Sequence, residues 1–164
     1  MTVTRIDKDL ERLTLTVTCD LDSPPERAWQ LWADPRLLER WWGPPTYPAT
    51  FVDHDLSLGS TVTYLMTGPE GDQHKGWWKV LAVDPPTRLE VEDGFAHDDF
   101  SPNLDLPTTT MRVELHAEPG DRTRMVLTST WPSLEAMEQM IAMQMEEGLR
   151  AALGQIDALL AGAA

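Results

Sequence analysis

Residues 133–161 carry the pattern that most constrains this chain. Wound as a helix, they place Leu134, Met137, Ile141, Met145, Gly148, Leu149, Ala152, Ile156 and Leu159 on one face, with Glu135, Gln139, Glu146, Arg150 and Asp157 opposite. Steps of three and four make a single apolar stripe. At about 1.5 Å per residue the helix spans roughly 40 Å, so it needs a broad apolar surface to lie across. Gly148 stands inside the stripe, where glycine costs roughly 1 kcal/mol relative to alanine. A close approach by backbone or ligand accounts for it.

The rest of the chain supplies such a surface. Leu13, Leu15, Val17 and Cys19 alternate with threonines, the mark of a half-buried strand. What precedes them reads as a short extra strand or a loose arm. Ser23-Pro24-Pro25-Glu26 predicts a helix capped by Ser23 with Pro24 in its first position. Asp34-Pro35 opens a second short helix, which Gly43-Pro44-Pro45 ends. From Ala49 to about Thr130 the period is that of strands, separated by Leu58-Gly59-Ser60, Gly68-Pro69-Glu70-Gly71-Asp72, Asp84-Pro85-Pro86 and Pro119-Gly120-Asp121. Only 93–107 lacks a period, and loops that long are often functional. Ser133 caps the last helix. Helices segregated from hairpins predict an α+β fold: a curved antiparallel sheet of about six to seven strands around the C-terminal helix, with two short helices after the first strand.

Local motifs make this order specific. Pro25-Glu26-Arg27-Ala28-Trp29, Asp34-Pro35 and Trp41-Trp42-Gly43-Pro44 open it; Met66-Thr67-Gly68-Pro69, Gly76-Trp77-Trp78 and Asp84-Pro85-Pro86 continue it. Together they resemble the helix-grip fold of the START/Bet v 1-like (SRPBCC) superfamily, and within it the bacterial domains similar to the activator of Hsp90 ATPase. Glu147-Gly148-Leu149 falls where that family usually has Glu-Gly-Trp. The resemblance covers roughly residues 11–161 and implies one domain over 1–164. It also implies a cavity between sheet and helix, and as an alternative an Hsp90-like partner. Fold alone assigns no chemistry.

Composition narrows the function classes. Lys and Arg number 13 against 27 Asp and Glu, a net charge of −14, which repels phosphate backbones and anionic lipid. Neither nucleic acid nor membrane is expected as a partner. Cys19 is the single cysteine, which suits a reducing cytoplasm and a place in the core. A homodimer is compatible with the sequence.

The apolar faces converge on one hollow. Its expected ligand-binding wall is Trp42, Tyr64, Met66, Trp78, Val80, Val91, Phe95, Met111 and Val113, with Met137, Ile141, Met145 and Leu149 from the helix. For any one of these, plain core packing is the more frequent role. Histidines 54, 74, 97 and 116 lack metal-site spacing, and Asp53 and Asp55 flank His54 on alternate sides of a strand. No nucleophile elbow or phosphate loop appears. No metal or cofactor is therefore expected. Tyr64 and Glu138 are the only candidate catalytic groups: Tyr64 as an inward hydroxyl, Glu138 as an acid within the apolar arc, though water past the sheet edge is its more frequent setting. The leading expectation is a binding protein for a small, mostly apolar molecule. The alternatives are a cyclase- or hydrolase-type enzyme using inward polar groups, and a protein-interaction module with an exposed patch around Trp77 and the long loop.

Overall fold

Alternating strands and turn-forming tetrapeptides produce one eight-stranded antiparallel sheet in the computed structural model, which describes residues 2–162. The strands are β1 (Val3–Asp9), β2 (Thr14–Leu21), β3 (Ala49–Asp53), β4 (Thr61–Thr67), β5 (Gln73–Asp84), β6 (Arg88–Phe95), β7 (Thr109–Glu118) and β8 (Arg122–Thr130). Their order is β1-β2-β8-β7-β6-β5-β4-β3. One strand more than expected comes from the N-terminal segment, which pairs with β2 instead of forming an arm. Register shifts in β1, β3 and β5 are bulges, the usual device for bending a sheet.

Two helices, α1 (Pro25–Ala33) and α2 (Pro35–Leu38), connect β2 to β3. Here Ser23 is not the cap. Pro24 holds that position with no side-chain bond, and Ser23 Oγ is buried without a partner. The Ser23 carbonyl instead accepts from Thr123 Oγ1 at 2.7 Å, which ties the helix entry to β8. Asp34 does cap α2, accepting from the Arg36 N–H at 2.9 Å. Trp32 of α1, with Trp41, Trp42, Trp78, Phe51 and Tyr64, forms an edge-on aromatic cluster against the sheet. Trp41 Nε1 donates to the Leu31 carbonyl. Cys19 is fully buried, and burial above all pushes its thiol up to about 12, so it packs as an inert neutral group.

The expected single C-terminal helix is three: α3 (Leu134–Ala142), α4 (Met145–Leu153) and α5 (Ile156–Ala161). The Ser133 side chain caps α3 by accepting from the Ala136 N–H. The main break is at Gln144, whose φ of 61° is left-handed. Such a break resets the helical phase, so a stripe drawn through it cannot hold on both sides. Met137, Leu153 and Ile156 are buried in one core cluster with the sheet, and Ala152 is buried too, whereas Leu134 is exposed. Gln155 Nε2 donates to the Gly43 carbonyl at 2.8 Å, and Arg27 donates to the Leu160 carbonyl. These bonds fasten the helical run to the aromatic end.

The break at Gln144 has a sign that can be measured. In a left-handed position glycine relieves strain, so Gln144→Gly raises stability by about 0.5–1 kcal/mol. In a continuous helix the same change costs about 1 kcal/mol. Urea denaturation of the two proteins distinguishes them.

Candidate functional site

The concave face is apolar in its middle and polar at one row of strand ends. On β6 the residues in phase with buried Leu89 and Val91 are Asp93 and Phe95. Cross-strand register sets Asp93 opposite Trp78 of β5 and Thr109 of β7, and Tyr64 of β4 opposite Gly76 of β5. A Cβ at residue 76 would overlap the Tyr64 phenol ring and hydroxyl. Glycine at 76 is thus what lets the phenol lie along the sheet toward β6. There the Tyr64 hydroxyl donates to Asp93 Oδ1 at 2.7 Å.

Above this pair a cavity of about 270 Å³ separates the sheet from the helices. Its floor is Tyr64, Asp93, Thr109 and Ser129; its walls include Trp42, Phe95, Met66 and Met111; its roof is Met140, Met145, Gly148 and Leu149. Thr109 Oγ1 accepts from the buried Trp131 indole at 2.8 Å, so its own hydrogen remains available to another acceptor. A Cβ at Gly148 would meet nothing within 4 Å. Glycine there borders open space, not a neighbouring backbone.

Burial dominates the electrostatics of the floor. It pushes the Asp93 carboxyl up to about 7, against the opposing pull of the Tyr64 hydroxyl, the nearby Trp78 indole and the Gly94 backbone N–H. Burial, then the charge and hydrogen bond of Asp93, hold the Tyr64 phenol well above its ordinary range. Tyr64 therefore stays neutral and donates. The Trp42 and Trp78 indole N–H groups lie close enough to Tyr64 and Asp93 to favour their anions. Neither closes a hydrogen bond of good geometry, so both are buried donors without partners.

Of the thirteen residues expected in the wall, Trp42, Tyr64, Met66, Phe95, Met111, Met145 and Leu149 line this cavity. Trp78, Val80, Val91, Val113 and Met137 are buried in the core and do not line the open space. Ile141 is half-buried and lies off the lining, because the phase before Gln144 turns Met140 inward in its place. Glu138 is exposed, on the water side of α3, and is no part of the site. Trp77 is buried too: its indole donates to the Phe95 carbonyl and its ring lies where a Cβ on Gly94 would be. It supplies no exposed patch. His54 Nε2 is 2.9 Å from the Trp32 carbonyl, and no cluster of metal-ligating side chains occurs among the described residues. Asp93, Thr109 and Ser129 also line the cavity, outside the set expected from sequence. The signal for each was its phase, two residues beyond an apolar alternation.

The comparisons with known proteins agree with the fold. A family model described as activator of Hsp90 ATPase homolog 1-like protein matches residues 22–161. The chain belongs to this family. Protein Ms6760 from Mycobacterium smegmatis is 48% identical, with 96% of each chain covered and a TM-score of 0.88. A protein from Arthrobacter aurescens, solved in solution, is 45% identical over 98% of this chain and 93% of its own, with a TM-score of 0.94. A more distant structure from Silicibacter pomeroyi, at 22% identity and a TM-score of 0.73 over 92% of this chain and 99% of its own, shares the fold. No curated protein matches the chain. No helix among the described residues is long and apolar enough to cross a membrane.

The buried carboxyl has a stability signature. Unfolded, Asp93 ionises near 3.8; folded, near 7. As pH rises between these values the unfolded chain loses the proton and the folded one keeps it, so stability falls, and the loss persists above 7. Asparagine accepts the same Tyr64 bond without a charge. Asp93→Asn is expected to be more stable than the parent at pH 8 by on the order of 1–3 kcal/mol. The gap should grow from pH 5 to 7 and level off above, as read by denaturant titrations; a gap independent of pH contradicts the assignment.

Proposed function

We propose that this protein binds a small, mostly apolar molecule in the cavity between the sheet and the C-terminal helices. The observation that carries the reading is open volume beside Gly148, walled by methionines and aromatic rings and floored by a few polar groups. Methionine side chains are adaptable and polarisable, which suits a cavity that closes over a guest. A small set of polar groups at one end fixes orientation. The Leu149 position, where the family usually has an aromatic ring, leaves this part of the roof with less bulk.

Filling the hollow from its own wall tests this. Gly148→Phe adds a ring from a Cβ position with nothing within 4 Å, at the lining of the hollow, so the fold should persist while binding is lost. Native mass spectrometry of the purified protein and a thermal-shift screen of lipids and polycyclic aromatics are the measurements. A bound species or shift in the parent that disappears in Gly148→Phe supports the reading. No binding in the parent, or binding unchanged by the phenyl ring, rejects it.

One observation favours a second reading, in which the guest is also a substrate. A carboxyl near 7 beside a neutral phenol is a competent proton donor and acceptor at working pH. Asp93 thus takes the role expected of Glu138. Turnover of the bound molecule that Asp93→Asn abolishes, with binding retained, is its signature. Interaction with an Hsp90-type ATPase draws on the family's name alone and gains no surface at Trp77.

A further inference from the structure

Asp93 is the only Asp, Glu, Lys, Arg or His among the described residues lining the cavity. Around it stand Tyr64 from β4, Trp78 from β5, Thr109 from β7, and Met140 from α3. None is cationic. A carboxylate placed in an apolar hollow with no positive partner is costly unless a partner arrives with the ligand.

We propose that the bound molecule carries one protonated nitrogen on a mostly apolar body, with the nitrogen seated against the Asp93 carboxylate. This rests on the binding reading above. Four features argue for a cation over a neutral or anionic head. The Tyr64 hydroxyl occupies Asp93 Oδ1 as a donor, and a carboxylate has further lone pairs to accept N–H groups. The rings of Trp42, Tyr64 and Phe95 border the same space, and aromatic rings attract a cation through their quadrupoles. Among the described residues the walls contain no lysine, arginine or histidine to hold an anion. The net charge of −14 draws cations toward the surface and turns anions away.

Binding also exchanges one positive partner for another. Where Asp93 holds a proton, an incoming ammonium displaces it to solvent; where Asp93 is ionised, the ammonium pairs with it directly. The charge of the site is the same in both bound states, and affinity rises with pH until the carboxyl is ionised. Tyr64, the other titratable group on the lining, stays neutral throughout this range.

Three probes with one tail separate the possibilities: octylamine, 1-octanol and octanoate, titrated into the full-length protein by calorimetry at pH 8. Octylamine should bind at least about 10-fold tighter than 1-octanol, and octanoate weakest of the three. In Asp93→Asn the amine and alcohol should bind within about 2-fold of each other. Lowering the pH from 8 to 5.5 should weaken the amine alone. Equal binding of amine and alcohol in the parent, tighter binding of octanoate, or an amine preference that survives Asp93→Asn overturns the proposal while leaving apolar binding intact. Failure of all three probes to bind removes both readings.

Discussion

A bent antiparallel sheet exposes an apolar concave face that its own strands cannot cover, and this need organises the molecule. Here two covers divide the work. The aromatic cluster of Trp32, Trp41 and Trp42 closes one end of the trough, and the helical run from Leu134 to Ala161 closes the remainder. Where Met137, Leu153 and Ile156 touch the sheet the cover is dense. Between those contacts, around Gln144 and Gly148, it lifts away. The hollow is the space left by a broken helix over a continuous sheet.

The same geometry explains why one acid behaves unlike the other carboxylates. Most acidic side chains lie at the surface, where water screens them. Asp93 continues the inward phase of β6 to the strand end and is desolvated by the walls of the trough. The Tyr64 bond offsets part of that cost without removing it, because a neutral hydroxyl supplies far less field than a cation. Folding keeps this acid at a site where the ordinary hydrophobic core would have an apolar residue. Such local conflicts with packing are expected where a protein meets a ligand.

Much of the fold was legible because burial on one face imposes a period. Leu15, Val17 and Cys19, or Met111, Val113 and Leu115, announce strands by alternation alone, and glycine and proline clusters mark the hairpins. The site was legible less well. Trp42, Tyr64, Met66 and Met111 line the hollow as their phase suggests, yet Trp78 and Val113 share that phase and pack solid. Period tells which face a side chain occupies; it does not tell whether another atom lies opposite. The stretch after Val91 shows a further reason. Polarity at Asp93 resembles the start of a loop, although the strand runs two residues further with its register intact.

The amino-acid sequence by itself determined the order of elements from β2 to the last helical run, the inward face of most strands, the caps at Asp34 and Ser133, and the acidic balance of the chain. These are local or additive properties, set by neighbours a few residues apart. The tertiary structure alone decided where the last helix breaks, that Gly148 borders open space, and that Asp93 lies in hydrogen-bond reach of Tyr64 across 29 residues of sequence. Those depend on distances between elements that meet only after folding, and on whether the gap between them closes. Desolvation follows from the same distances, which is why the character of Asp93 belongs to the folded molecule and not to its position in the chain.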